Sequence, residues 1–232
     1  MATPSSPSFE HHREALGIGE AAPRLSWKTR AEPGWAQSAY EIEIVRDGRA
    51  HATGRIDSPD SVLVPWPIDP LGSRERADVR VRVWGTDQEP SEWSTVAAVE
   101  TGLLHPSDWI AVPVGGAWPE QADSDDRRPA IVRREFTVGP DLVRARLYAT
   151  AHGLAEAELN GHRVGDDTLS PGWTVYGSRL RYLTYDVTDL LQPGANALGA
   201  WLGDGCTEVD SGGAAGSAIS TGPTCRTSLS SN

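Results

Sequence analysis

Alternating apolar and polar positions dominate the chain between Leu25 and Leu104. In the run Val79–Trp84, three valines fall on one face and two arginines on the other. The run Ala39–Ile44 alternates in the same way and is followed by the turn residues Asp47-Gly48. A period of two residues is typical of a half-buried antiparallel strand. Short strands and turns at this spacing predict a fibronectin III/immunoglobulin-like β-sandwich over residues 23–104.

A second set of strand patterns lies within residues 105–205. Its strongest hairpin signal is Asn160-Gly161, because a type I′ turn needs positive φ at both central positions. The strands amount to half to two-thirds of a jelly roll, so this all-β chain is predicted to continue into an incomplete jelly-roll-like β-sandwich. The predicted strands are Ile131–Val138, Val143–Thr150, Ala155–Leu159, Tyr182–Val187 and Asn196–Leu202.

The two ends of the chain lack such patterns. Residues 1–22 have no apolar run of signal-peptide length, so they are predicted to form a polar N-terminal leader on a cytoplasmic protein. No stretch reaches the ~18–20 apolar residues of a membrane span, and no membrane partner is expected. Residues 206–232 are rich in Ser, Thr and Gly and are predicted to be a disordered tail.

Composition narrows the possible functions. Hydrophobic residues make up 38% of the 232 positions, a fraction that excludes disorder of the whole chain. The formal charge of −11 leaves no basic surface for phosphates, so nucleic acid is not an expected partner. The two cysteines, Cys206 and Cys225, are too few for a disulfide framework or a zinc cluster.

Two groups of motifs, taken in order, resemble the N-terminal domains of bacterial α-L-rhamnosidases. The first group is similar to that family's fibronectin-like domain, and the second to the β-sandwich that follows it. Together they cover about Pro23 to Gly205. The motifs are Pro23–Trp27, Gln37–Ile42, Val81–Trp84, Ser91–Ser94 and Glu100–Leu104 in the first group, and Ala145–Leu154, Leu159–Asp166, Leu169–Tyr176 and Tyr185–Thr188 in the second.

The resemblance implies a parent enzyme that hydrolyses terminal α-L-rhamnose with inversion, using acidic residues of a downstream (α/α)6 barrel. Inversion needs a general acid and a general base about 6.5–9.5 Å apart. No residue of this chain matches either group, so no catalytic residue is predicted. The chain is therefore expected to be a non-catalytic N-terminal fragment, inactive alone, whose partner in the full enzyme is the barrel. The alternative is a free-standing carbohydrate-binding or interaction module for rhamnose-containing glycans.

The resemblance stops after the segment Trp201–Gly205. The family continues there with a Trp-Tyr-Arg-Gly type of run, whereas this chain continues with Cys206–Gly213. Deleting one G from codons for the family's run gives codons for the sequence found here. A frameshift near Gly205 is therefore predicted to have truncated the chain before the catalytic domain, and a natural disordered tail is the alternative.

A few residues of the second domain are candidates for binding. Trp173 and Tyr176 present aromatic rings on which a sugar could stack, and Asn160 is a candidate polar contact; core packing is the alternative for the rings. Asp166 and Asp167 carry the oxygen ligands that calcium prefers, although turn-capping or solvated loop positions explain them more simply. Calcium is the one metal considered, and no other cofactor is expected.

Overall fold

The computed structural model describes residues 2–85, 89–115 and 129–203, together with the backbone of residues 219–227. The chain divides into two compact units, unit 1 from Met1 to Asp108 and unit 2 from Trp109 to Asn232. In the described residues, helical structure is confined to two short 3-10 turns, Pro106–Asp108 and Thr188–Leu190. The predicted all-β class is confirmed.

Unit 1 is built on a five-stranded sheet with the strand order β3-β9-β8-β6-β7. The long strands β6 and β8 pair antiparallel, whereas β3 pairs with β9 in parallel. Two smaller ladders, β1-β5 and β2-β4, complete the unit. The strands are β1 Thr3–Pro4, β2 Ser8–Phe9, β3 Leu16–Ile18, β4 Leu25–Ser26, β5 Thr29–Arg30, β6 Gln37–Arg46, β7 Arg49–Ala52, β8 Arg76–Gly85 and β9 Ala97–Thr101.

The alternation read from the sequence decides which face of β6 and β8 is buried. Ile42, Ile44 and the three valines of β8 lie fully inside the core. The opposite face carries cross-strand ion pairs between Arg82 and Glu41 and between Arg80 and Glu43. Apolar side chains on one face and paired charges on the other stabilise one register of the two strands.

A stacked arrangement of aromatic and guanidinium groups covers that charged face. The ring of Trp93 lies 4.7 Å from the guanidinium carbons of both Arg80 and Arg82. The hydroxyl oxygens of the nearby Ser91 and Ser94 each accept a hydrogen bond from a backbone N–H of β8, with an N–O distance of 3.0 Å in both cases. The segment therefore satisfies buried backbone donors that β9 does not reach.

The predicted leader is wrong, because residues 1–22 are part of unit 1. They form β1, β2 and β3, and the side chains of Phe9 and Ile18 are 2% and 3% exposed in the core. Unit 1 also extends past the predicted end at residue 104. Hydrogen bonds from the Ser73 hydroxyl and the His105 backbone lower the pKa of Asp108, the last residue of the unit.

The ion pair between Glu10 and Arg24 should make the stability of unit 1 depend on pH. Hydrogen bonds from the Arg24 side chain and backbone lower the pKa of Glu10 from 4.5 to about 2. Since the folded state depresses this pKa, the carboxylate stabilises the fold above pH 4.5, and the contribution is lost as the pH falls towards 2. Glu10→Gln should flatten this loss in acid unfolding followed by circular dichroism.

The exposed Glu14 provides a matched control for that experiment. Glu14→Gln should leave the acid transition of the wild-type chain in place. An acid transition that is the same in Glu10→Gln and the wild type would contradict the prediction.

Unit 2 contains two sheets, one of four strands in the order β10-β15-β12-β13 and one of three in the order β14-β11-β16. The turn between β12 and β13 is the predicted hairpin: φ is +53° at Asn160 and +82° at Gly161. The strands are β10 Ala130–Val138, β11 Leu142–Ala151, β12 Leu154–Leu159, β13 His162–Arg163, β14 Leu183–Asp186, β15 Gly194–Gly203 and β16 Ile219–Thr227.

The core of unit 2 lies between these two sheets and is built from small side chains. β11 contributes Leu147 with alanines on either side, and β12 contributes Ala157 and Leu159. Val164 and Val187 close the cluster at the ends of β13 and β14. The arrangement is a β-sandwich, as the period-two pattern of β11 predicts.

The predicted disorder of residues 206–232 is wrong for Ile219–Thr227. That segment forms β16 and pairs antiparallel with β11, with Leu147 opposite Pro223. Proline is tolerated because β16 is the edge strand of its sheet. Among the described strands it has a neighbour on one side only, so an N–H that would point to the other side is not needed. Residues 204–218 and 228–232, on which the rest of the prediction falls, lie outside the described residues.

Candidate interaction site

The segment between β13 and β14, residues 164–182, is the longest irregular segment among the described residues of unit 2 and is called the β13–β14 loop. This loop is attached to the sheets at Ser170 and again at Arg181, near its end. The Ala155 N–H donates to Ser170 O at 2.8 Å, and the Thr150 hydroxyl donates to Arg181 O at 2.6 Å. Within the loop, the Thr174 hydroxyl donates to Arg179 O at 2.7 Å. The loop backbone is therefore fixed rather than free.

The glycine at the start of the loop is needed for close packing. Gly165 has φ +71°, and a Cβ at this position would lie 2.3 Å from the ring of Tyr185. Burial under the loop raises the pKa of the Tyr185 phenol. The loop is thus pressed against β14 at its first turn, and any side chain at Gly165 would push the tyrosine away.

The middle of the loop exposes large apolar side chains. Leu169 is 71% exposed, Trp173 77% and Val175 73%. Burying each of these side chains would contribute about 1.5–3 kcal/mol of stability, and the isolated protein does not gain this contribution. The predicted aromatic candidate Trp173 therefore has its ring free to contact another molecule.

Tyr176, the second predicted stacking ring, is placed differently. It lies against the ring of His152, with centroids 6.1 Å apart and planes 24° from parallel. His152 belongs to the turn between β11 and β12. One face of Tyr176 is thus used within unit 2, and this contact fixes the far side of the β13–β14 loop.

Asn160, the predicted polar contact, directs its amide into the protein. Its Nδ2 donates to Leu190 O and to Asn196 Oδ1, both at 2.8 Å, and its Oδ1 accepts the Ala197 N–H at 2.9 Å. Asn196 is itself 3% exposed. The structure does not bring Asn160 together with Trp173 at a common surface, and its polar groups hold the hairpin turn to β15.

Asp166 and Asp167 are both exposed on the β13–β14 loop. Across the described residues, no group of three or more histidine, cysteine or acidic side chains is assembled for a metal ion. The backbone carbonyl of Asp167 accepts a hydrogen bond from Arg163 at 2.6 Å. The two aspartates therefore lie on the loop without a third ligand in the described part of the chain.

A small cleft opens between the two sheets under the loop. Ser170 and Pro171 form one wall, and Leu183 and Tyr185 form another. The space open to the centre of a water molecule is about 20 Å³, which suits one water and is far too small for a sugar ring. No carboxylate lines this cleft, so it has neither the volume nor the groups for glycoside hydrolysis.

The two units differ in how much apolar surface they expose. Among the described residues, unit 1 exposes two large apolar side chains and unit 2 exposes ten. Sequence reading singled out Trp173 and missed Leu169 and Val175, although apolar residues in a segment rich in Gly, Pro and Ser are a usable signal. The exposed side chains are Val62 and Val96 in unit 1, and Ile110, Val112, Val114, Ile131, Val143, Leu169, Trp173, Val175, Leu180 and Trp201 in unit 2.

Two family models match the chain, one on each unit. Residues 4–105 match the Rha78A-like, N-terminal immunoglobulin domain, and residues 140–229 match the α-L-rhamnosidase N-terminal domain. The first match begins within the segment predicted to be a leader. The second runs past the predicted frameshift near Gly205, so it marks no boundary there.

Relatives and solved structures agree with these matches. An α-L-rhamnosidase of Formosa agariphila is 34% identical over 84% of this chain, and one of Alteromonas sp. is 37% identical over 82%. The crystal structure of the Aspergillus terreus enzyme covers the whole chain at 43% identity with a TM-score of 0.87. The Dictyoglumus thermophilum structure covers 99% at 25% identity with a TM-score of 0.83.

The chain spans 23% and 22% of the length of the two curated relatives and 28% of each of these two solved chains. An immunoglobulin-like unit followed by a second β-sandwich defines the N-terminal part of a class of glycoside hydrolases. The chain carries the N-terminal immunoglobulin domain and the N-terminal β-sandwich domain that α-L-rhamnosidases have. In the described residues, no helix is long and apolar enough to cross a membrane.

Proposed function

We propose that this chain provides the accessory β-domains of an α-L-rhamnosidase, an enzyme that hydrolyses terminal α-L-rhamnose from glycosides with inversion. The observation that carries the proposal is the match of both units, in order, to the N-terminal domains of relatives that are about four times longer. The acid and base of the reaction would come from a downstream catalytic barrel. The role of this chain is to support that barrel, not to perform the chemistry.

The two units are suited to such a supporting role. Unit 1 is held by a fully buried β-core and by paired charges on its outer face, so it is a rigid platform. Unit 2 presents apolar side chains to solvent on a loop fixed by backbone hydrogen bonds. A rigid sandwich with an exposed apolar loop can orient a neighbouring domain without contributing a reacting group.

The first test is catalysis by the purified chain on an aryl α-L-rhamnoside. We expect hydrolysis no faster than in buffer, because aligned acid and base groups contribute most of the rate and no carboxylate lines the cleft in the described part of the chain. The Aspergillus terreus enzyme, assayed under the same conditions, is the positive control. Turnover that survives repurification and scales with the amount of this chain would contradict the proposal.

The frameshift near Gly205 remains a prediction, and the gene tests it directly. If it is correct, restoring one G at codon 206 gives a reading frame that encodes a Trp-Tyr-Arg-Gly run in place of Cys206–Val209 and continues past the present stop codon into a barrel with acidic residues. The absence of any such reading frame would favour a chain that acts on its own.

The second candidate function is a free-standing module for rhamnose-containing glycans. The exposed ring of Trp173 favours it, because apolar sugar faces stack on aromatic rings. Calorimetric titration with L-rhamnose distinguishes the two: a stand-alone module binds the sugar and loses binding in Trp173→Ala. An accessory domain whose loop contacts protein gives no heat in either titration.

A further inference from the structure

We propose that the β13–β14 loop is the surface on which the downstream catalytic part of an α-L-rhamnosidase docks, with Trp173 at the centre of the contact and Leu169 and Val175 beside it. This inference rests on the proposed function, because it assigns the partner of an accessory domain to one loop. It differs from that function in naming the residues that make the contact.

The loop is built to present these side chains. Hydrogen bonds to Ser170 O and Arg181 O attach the loop to the sheets on either side of Trp173, and the ring of Tyr176 stacks on that of His152. A loop held in this way loses little conformational entropy when a partner binds. The backbone of this loop is held in place, and it presents a tryptophan to solvent. Because surface loops usually carry polar side chains, a fixed loop with an exposed tryptophan indicates a recognition surface.

The chemistry of the loop favours a protein partner over a sugar. Between Leu169 and Tyr176, the exposed residues other than Trp173 are the aliphatic Leu169 and Val175. The Thr174 hydroxyl already donates a hydrogen bond to Arg179 O, and the Ser170 hydroxyl oxygen is buried. A sugar needs hydroxyl partners beside the stacking ring, whereas an apolar protein surface needs the aliphatic groups found here.

The identity of the partner follows from the lengths of the relatives. In the Aspergillus terreus structure this chain corresponds to 28% of one polypeptide, so the rest of that enzyme is tethered to the same two domains. Tethering gives the remaining part a high effective concentration at any exposed apolar surface of the domain next to it. Unit 2, the later of the two in the chain, is also the unit that exposes ten large apolar side chains against two in unit 1, among the residues described.

The docking test uses a defined probe. The probe is the Aspergillus terreus α-L-rhamnosidase expressed without the region that this chain matches, and circular dichroism establishes that it is folded before use. Binding of the full chain is measured by surface plasmon resonance against this shortened enzyme and against the full-length enzyme. Trp201, a second exposed tryptophan at 46%, lies on β15 and offers a matched control.

We expect the wild-type chain and Trp201→Ser to bind the shortened enzyme equally, and Trp173→Ser to bind about 30-fold more weakly, as for a central interface tryptophan. Val175→Ser should weaken binding in the same direction. Neither loss of binding would come from unfolding, because the side chains of Trp173 and Val175 are mostly exposed. The full-length enzyme should bind none of the variants, since its own N-terminal domains already occupy the surface.

Each other outcome is informative. Equal binding of Trp173→Ser overturns the inference alone, because docking then uses another surface and the accessory role stands. Equal binding to the full-length enzyme also overturns it, since the loop is then only a general apolar patch. Self-association through Trp173 would make a second copy the occupant and overturn it as well. No binding by any variant contradicts the accessory role itself.

Discussion

Replacing Phe9 by alanine should lower the free energy of unfolding of unit 1 by about 3–5 kcal/mol. The side chain is 2% exposed and belongs to the same core cluster as Leu25 and the valines of β8. Removing a buried ring takes away its transfer free energy and leaves a cavity that the surrounding strands fill only in part. A loss of this size is a large fraction of the stability of an ordinary domain.

Hydrogen exchange at the amides of β8 measures the effect within unit 1, because these amides lie in the central strand of its sheet. Val62→Ala is the matched control, since Val62 is 71% exposed and its truncation leaves no cavity. If Phe9→Ala exchanges as slowly as the wild type, the segment before Pro23 is a dispensable leader after all.

The central strands of both units were predictable, whereas the first residues of unit 1 were not. β6 and β8 are ten residues long, so several alternations accumulate and the period of two is clear. β1, β2 and β3 have two or three residues each, which is too short for any period to register. Their positions depend on pairing with β5, β4 and β9, and that information lies elsewhere in the chain.

The same limit applies to β16 and to the candidate site. The segment Ile219–Thr227 has the composition of a disordered tail, and only its pairing with β11 makes it a strand. Trp173 was recognisable only as a ring on which a sugar could stack, with core packing as the alternative, and its 77% exposure comes from the structure. The exposure of Leu169 and Val175 depends on how the loop is attached to Ala155 and Thr150, and spacing alone does not contain that attachment.

The sequence predicted the backbone conformation at Asn160 but not the role of its side-chain amide. The pair Asn160-Gly161 correctly predicts the turn, which needs positive φ at both positions. The partners of the amide, Leu190 O, Asn196 and Ala197, lie 30 to 37 residues further along the chain. A residue type that suits both turns and sugars therefore cannot be assigned to one of them until the strand that holds those partners is placed.

Asn160→Ala should lower the free energy of unfolding of unit 2 by about 4 kcal/mol. Three hydrogen bonds are lost, each worth about 1 kcal/mol, and alanine tolerates the +53° φ less well than asparagine. Asn160→Gly loses the same hydrogen bonds but accepts this φ, so it should cost about 1 kcal/mol less than alanine. Urea unfolding, followed through hydrogen exchange of the β12 and β15 amides, measures both variants.

His162→Ala is the control at the same hairpin, because His162 is exposed in β13 and its truncation should leave β12 and β15 as stable as before. The free energy of unfolding should rise from Asn160→Ala to Asn160→Gly to the wild type. This order separates the two effects, because only the alanine variant has both the φ penalty and the lost hydrogen bonds. If all three variants unfold at the wild-type urea concentration, the Asn160 amide contributes nothing to the fold. Its donors would then be available to a ligand, and the polar-contact role predicted from the sequence would be the better assignment.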